Sequence, residues 1–253
     1  MLSLTQGVVL IVGASQGIGL GFVGRLLAAG QVSRVYATYR HWETATGLQA
    51  LADQYPERLC CLGMDLTDEA QIVAGCDRIQ ADVGKLHWVI NCVGILHEGT
   101  LHPEKSLRQV QIDPLQRYFL VNSIGPLLLA KHLLPLFSHG EPSLLATLSA
   151  KVGSIGDNYL GGWYGYRASK AALNMFMRTA AIEYRRKNPH SIVVVLHPGT
   201  TDTRLSQPFQ KNVPAAQLFS VERTVDQLLN VMANLHENDS GQFLSWDGSR
   251  LPW

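Results

Sequence analysis

Short apolar runs rich in β-branched residues alternate along the chain with longer stretches in which apolar side chains recur every three to four positions. Runs of the first kind suit strands of a buried sheet, and the second kind suits helices that cover it. The pattern predicts strands over 7–12, 34–38, 59–64, 88–92, 143–149, 192–196 and 242–245. It predicts helices near 18–29, 44–54, 68–83, 116–136, 164–187 and 221–235. Strand and helix in regular succession mark parallel βαβ units, so the expected fold is α/β, a doubly wound seven-stranded parallel sheet with helices on both faces. No repeat, linker or low-complexity stretch interrupts the succession, and residues 1–253 read as a single domain. In such a sheet, ligands bind outside the carboxyl ends of the strands, where the strand order reverses.

Composition narrows the class. Hydrophobic residues make up 46% of the chain and charged residues 16%. That balance fits a well-buried globule and excludes a disordered or fibrous chain. A chain of this length buries enough apolar surface to need no disulfides. Cys60, Cys61, Cys76 and Cys92 have no metal-ligand spacing and read as buried reduced thiols. His97, His102 and His197 form no ligand pattern, so no metal is expected. The formal net charge is +1, without a basic block interleaved with aromatics, which argues against a nucleic-acid partner. Residues 1–6 carry no basic stretch, and the apolar run 8–12 is too short for a signal peptide or a membrane span. A cytoplasmic protein without a membrane partner is expected.

The first strand runs directly into Gly13-Ala14-Ser15-Gln16-Gly17-Ile18-Gly19, which opens a helix. Glycines here allow a sharp turn and a close approach, and the helix start offers free N–H groups and a positive dipole end to a pyrophosphate. This makes the expected sheet Rossmann-type and the loop from Gly13 to Gly19 the expected cofactor cradle. The second strand ends Thr38-Tyr39-Arg40, with no carboxylate to hold a ribose. A guanidinium there can hold a 2′-phosphate through paired, charge-assisted hydrogen bonds, so Arg40 favours NADP(H) over NAD(H).

The candidate chemistry lies in Tyr166-Arg167-Ala168-Ser169-Lys170. Residues four apart share one face of a helix. A free phenol titrates near pH 10 and is a poor acid or base at neutrality. An ammonium about 5 Å away would favour the phenolate by roughly 3 kcal/mol at an effective dielectric of about 20, or about two pKa units. Tyr166 would then transfer protons near working pH.

The long glycine spacing, the Tyr166–Lys170 pair and their order along the chain resemble the short-chain dehydrogenase/reductases, and the resemblance runs from Gly7 to the C-terminus. It implies that Asp65 and Leu66, after the third strand, hold the adenine, and that Asn91 and Gly94 of Asn91-Cys92-Val93-Gly94 line the adenosine. It implies a second task for Lys170, on the nicotinamide ribose, and a proton-relay role for Asn122. The turn Pro198-Gly199-Thr200-Thr201-Asp202-Thr203 would face the carboxamide, with Thr203 as the candidate hydroxyl and Thr200 or Thr201 as alternatives. The family's carbonyl-binding serine stands three residues before a glycine. Counted back from Gly153, that position holds Ala150. Three alternatives stand: Ser149 serves after a backbone adjustment, Ser154 reaches in from the loop, or Tyr166 acts without a serine. Ser149 is the first choice.

The segments Gly153-Ser154-Ile155-Gly156-Asp157-Asn158, Gly161 to Arg167 and Trp246-Asp247-Gly248 resemble the C-factor and sniffer-type carbonyl reductases. That narrower resemblance implies NADPH and a small carbonyl or alcohol substrate. Leu96, Tyr159, Leu160, Trp163 and Phe209 are expected to wall an apolar pocket under a lid reaching to about Pro214. The long helices would pair between subunits of a homodimer or homotetramer. Two other readings stand beside the enzyme: a nucleotide-binding signalling or sensor protein of low turnover, and an interaction scaffold.

Overall fold

The structure, a computed structural model, describes residues 6–253. Of residues 1–6, read above as lacking a basic stretch, all but Gln6 lie outside the described residues.

The chain runs β1 (Gly7–Val12), α1 (Gly17–Ala29), β2 (Val32–Tyr39), α2 (Thr46–Gln54), β3 (Leu59–Gly63), α3 (Glu69–Asp82) and β4 (Trp88–Asn91). It continues α4 (Ile112–Phe119), α5 (Gly125–Leu133), β5 (Ser143–Leu148), α6 (Tyr164–Lys187), β6 (Ser191–His197), β7 (Thr200–Thr201), β8 (Leu218–Phe219), α7 (Val221–Ala233) and β9 (Phe243–Ser245). Seven strands form one parallel sheet in the order β3-β2-β1-β4-β5-β6-β9. The chain leaves β1 in one direction for β2 and β3 and returns on its other side with β4, so the crevice lies above β1 and β4.

Alternation along the strands sends neighbouring side chains to opposite faces. Val9 and Ile11 of β1 pack with Phe22, Leu26 and Leu27 of α1 and Leu228 and Met232 of α7. Val8, Leu10 and Val12 pack with Ile72 and Ile79 of α3, Leu129 and Leu133 of α5, and Leu173 and Met177 of α6. Each face is therefore closed by helices, as the near-continuous apolar runs of the strands require.

The expected helix 116–136 differs most. It begins at Ile112, with Pro114 in the first turn, where a missing N–H costs little. A π-helical turn, Leu120–Ile124, then separates α4 from α5. Ile112–Phe137, at 26 residues, is long enough to cross a membrane and holds an 18-residue window of mean hydropathy 1.4, yet half of that window is buried within the fold. The expected lid is folded, with β7 pairing β8 and short turns over Gln207–Asn212 and Ala215–Gln217.

Candidate active site

The loop between β1 and α1 is built for close approach. A methyl group on Gly19 would lie 2.2 Å from the Gly13 carbonyl oxygen, so a side chain there would force the loop open. Thr38, buried at the end of β2, fixes the other side: its Oγ1 accepts from the Gly13 N–H at 3.0 Å, and its carbonyl accepts from Ala14 at 2.8 Å. Gln16 precedes the helix without a side-chain cap, and no acidic residue lies in the first turn of α1. Those amides and their dipole are open to an anion.

One cleft continues from this loop across the strand ends, lined by Gly13, Ser15, Gln16, Gly17, Ile18, Gly19, Arg40, Asp65, Leu66, Gly94, Ser149, Tyr166, Lys170, Pro198 and Thr203. The cleft joins an anion-binding helix end, a guanidinium at its rim and a Tyr–Lys pair at its other end, and the residues present fit an extended, phosphate-bearing dinucleotide. Asp65 shapes its floor through a turn in which Oδ1 accepts from the Thr67 N–H at 2.9 Å and hydroxyl at 2.8 Å. Burial pushes the Asp65 carboxyl up, but these bonds and the Arg40 and Arg117 guanidiniums outweigh it and hold the group below the usual range. The helix cap is the neighbouring Asp68, which accepts from Ala70 and Gln71.

Four expected contacts lie behind the wall. Asn91 is fully buried, and its Oδ1 accepts from the Val93 N–H at 3.1 Å, so it shapes the turn that carries Gly94. Gly199 packs on Phe219 and Trp246, and Thr200 is drawn into the β7–β8 ladder. Asn122, fully buried in the π-helical turn, accepts from Ile95 N–H at 2.8 Å and donates to Ile95 O at 3.0 Å and Ser169 Oγ at 3.1 Å. It ties the β4 loop to α6. Sequence reasoning missed Cys92, Val93, Ile95 and Arg204 in the wall, although their places just after strand ends mark them, and Val121, which the π-helical turn brings in.

Tyr166 and Lys170 lie one turn apart on α6, both buried. The Lys170 Nζ is 6.0 Å from the centre of the Tyr166 ring and donates to the Leu148 carbonyl at 3.0 Å. A methyl group on Gly94 would fall 3.2 Å from this Nζ and 3.5 Å from Asn122 Oδ1, so the bare glycine keeps open the gap between them. The expected drop in the Tyr166 pKa is not seen. Burial, which penalises phenolate, pushes the phenol well above its ordinary value and pushes the lysine down to about 8.

Extended backbone continues through Ala150, at φ −148° and ψ 144°, so Ser149 and Ala150 point to opposite sides. Ala150 packs against the apolar cluster that contains Tyr166. Ser149 contributes to the cleft wall, but its hydroxyl donates away to Asn174 Oδ1 at 2.6 Å. Ser154 is buried, and its Oγ accepts from the Asp157 N–H at 3.1 Å. The Ser149 hydroxyl is thus engaged within the wall, and the Ser154 oxygen serves its own turn.

Around Tyr166 the walls are apolar: Ile95, Leu96, Leu101, Tyr118 and Val121, with Ala150, Val152, Trp163, Leu205 and Phe209 against them. The Trp163 and Phe209 rings meet edge to face at 5.0 Å, and Trp163 lies 6.2 Å from Tyr166. The Tyr118 hydroxyl donates to Leu96 O at 2.8 Å, which leaves Tyr166 as the hydroxyl of this cluster not tied to the backbone. Tyr159 and Leu160, expected in the wall, stand out at 87% and 93% exposure instead. His97 bridges to the folded lid, with Nε2 at 3.1 Å from Arg204 O. Burial and the nearby Lys151 push His197 down to about 4, so it is neutral. Among the described residues no cluster of three potential metal ligands occurs.

Known proteins are similar to this chain in sequence and fold. The carbonyl reductase of chicken fatty liver, solved with NADPH bound, has 33% identity and a TM-score of 0.86 over 97% of this chain and 98% of that one. The carbonyl reductase Sniffer of D. melanogaster has 25% identity and a TM-score of 0.86 over 98% of this chain and 100% of that one. The C-signal of Myxococcus xanthus is 32% identical over 148 residues, 58% of this chain and 84% of that protein. A model of the short chain dehydrogenase family matches residues 7–214, from the first strand through the segment that folds over the pocket, and the chain belongs to that family of oxidoreductases.

Proposed function

We propose that this protein interconverts a small, mostly apolar carbonyl compound and its alcohol with NADP(H), used in preference to NAD(H). One observation carries the reading: the Tyr166 hydroxyl belongs to an aromatic and aliphatic pocket that opens into the same cleft as Lys170, Arg40 and the uncapped start of α1. The NADPH bound to the chicken relative is in keeping with it. A nicotinamide cofactor would supply the hydride. It would be held by the Gly13–Gly19 loop at its phosphates, by Arg40 at a 2′-phosphate, by Asp65, Leu66 and Gly94 along the adenosine, and by Lys170, Pro198 and Thr203 at the nicotinamide end.

The remaining chemistry belongs to the chain. Tyr166 donates its phenolic proton to the carbonyl oxygen as negative charge develops there. Burial keeps the phenol protonated, which suits a donor. The Lys170 ammonium lowers the cost of the phenolate left behind. Asn122 holds Ile95 and Ser169 around the lysine and borders the gap through which Tyr166 regains its proton. With Ala150 in the serine position, Tyr166 polarises the carbonyl alone. Apolar walls exclude water and favour apolar substrates.

The four cysteines are free, in keeping with a reducing, cytoplasmic setting. Met175 and Ile182, seven residues apart on α6 and 64% and 53% exposed, form the face on which a homodimer or homotetramer would pair. Oxidation of NADPH against aldehydes, ketones and quinones tests the function, with Tyr166→Phe as control. Turnover that falls at least about 100-fold in the variant supports it. Tight NADPH binding without turnover on any compound would favour a nucleotide-binding sensor, the reading that Ala150 in place of serine supports.

A further inference from the structure

At the adenosine end of the cleft, Arg40 is not free. Its Nη1 lies 3.4 Å from Oε1 of Glu98. Glu98 stands at the base of a tight turn, where it exchanges both backbone hydrogen bonds with Leu101 at 3.1 and 2.9 Å, with Gly99 between them at φ +56°. Its backbone is therefore fixed. Its second oxygen is fixed too: Oε2 accepts from Nε and Nη2 of Arg117 on α4 at 3.0 and 2.7 Å. One carboxylate thus joins two guanidiniums across the rim of the cleft, with a firm arm to Arg117 and a long arm to Arg40. Both guanidiniums also bear on Asp65, inside the same end of the cleft.

We infer that Glu98 is a specificity-determining residue, which tempers the preference for a 2′-phosphorylated nucleotide by holding Arg40 in a contact that the phosphate must displace. The inference rests on the assignment of Arg40 to the 2′-phosphate made above. The Arg40–Glu98 pair is 47% and 38% exposed and bonded through one long contact, so it holds weakly. A phosphate can take two parallel bonds from the same guanidinium and wins Arg40. Glu98 then remains on Arg117, but its charge stays beside the phosphate and repels it. A nucleotide with a bare 2′-hydroxyl has no such contest and leaves the pair intact. Arg117 acts in the opposite sense: by gripping Oε2 it keeps Glu98 from closing on Arg40 with both oxygens.

The test is fluorescence titration of the whole protein with NADPH and with NADH, at low salt and at about 0.5 M salt. Glu98→Gln is expected to tighten NADPH about three- to tenfold at low salt, with a smaller gain at high salt and NADH moving less than about twofold. Arg117→Gln is expected to weaken NADPH relative to NADH. If either ratio fails to move in its stated direction, the inference is overturned, and so it is if each variant shifts both nucleotides equally, the mark of a structural brace. Arg40→Ala separates the two levels. Unchanged NADPH affinity in that variant removes the 2′-phosphate assignment itself. A selective loss of NADPH there, with Glu98→Gln leaving the ratio unmoved, removes the role of Glu98 alone.

Discussion

Gly153 lies so close to Lys170 that a methyl group on it would fall 2.6 Å from the lysine Cβ. The loop after β5 is thereby pinned to α6, and its register is set by that contact. Three residues before this glycine stands Ala150, packed against the apolar cluster that contains Tyr166. Ala150→Ser is therefore expected to add a hydroxyl where a carbonyl oxygen would sit. A single donor aimed at a developing oxyanion is worth about 100-fold or more in other enzymes. A gain of at least about tenfold in kcat is expected here, read by steady-state kinetics on the best substrate. No gain would mean that the pocket holds its carbonyl elsewhere.

Ser149 provides the complementary case. Its hydroxyl is buried on Asn174, so Ser149→Ala is expected to cost about 1 kcal/mol of stability in denaturant unfolding. Turnover is expected to change less than about threefold, well short of the loss that follows removal of an oxyanion donor. A 100-fold loss of kcat without loss of stability would return the carbonyl-binding role to Ser149.

The pH dependence follows from burial. Lys170 is pushed down to about 8, and its ammonium is the form that eases charge on Tyr166. That form is lost as pH rises through about 8, so kcat/KM for carbonyl reduction, which reports the free enzyme, is expected to fall across that range. Lys170→Arg keeps its charge and should lose this limb, whatever its absolute rate. A wild-type profile flat between about pH 7 and 9 would contradict the assignment.

The same burial affects stability. The lysine titrates near 8 in the folded protein against an ordinary value of 10.5, a gap of about 3 kcal/mol against folding with the ammonium charged. Between these values the unfolded chain binds more protons, so wild-type stability rises with pH over that window. Lys170→Met is expected to be inactive yet more stable than wild type at pH 7. The difference should narrow as pH rises from about 8 to 10.5, and urea unfolding at several pH values reads it. A destabilised methionine variant at pH 7 would show that the bond to Leu148 O outweighs the cost of the buried charge.

Much of this architecture is visible in the sequence because it depends on local pattern. The boundaries of β1 and α6 coincide with the apolar run and the helical periodicity that predict them. The loop from Gly13 to Gly19 and the Tyr166–Lys170 spacing carry their chemistry in a few adjacent residues. What escapes is what depends on distant partners. Thr38 holds Gly13 across 25 positions, and Glu98 reaches Arg40 across 58. Pro114 hides the true start of α4, since a proline reads as a break although the first turn tolerates it. The direction of the Tyr166 shift is lost for a related reason: spacing gives the distance to Lys170, whereas burial is set by distant residues such as Tyr118, Ile95 and Leu96. Tyr159 and Leu160 are apolar in sequence but lie on an outward loop, a placement their own residue types do not disclose.

Trp163 ends that loop with a positive φ of 54°, a conformation that bulky side chains rarely adopt. The backbone is held there by its N–H, which donates to the Glu104 carbonyl at 2.5 Å, while the indole packs against Phe209 and faces Tyr166. Strain of about 1–3 kcal/mol is thus set against the aromatic contacts of Trp163 with Phe209 and Tyr166. Asparagine tolerates the left-handed conformation, so Trp163→Asn should keep the backbone path, relieve strain and remove the wall. The loss of indole packing offsets the relief, and the melting temperature is expected to move by only a few degrees. KM for aromatic ketones should rise about tenfold, the effect of losing part of an apolar pocket, while kcat for a small aliphatic aldehyde changes little. An equal loss of kcat on both substrates would mean that Trp163 positions Tyr166 and does not merely contact the substrate.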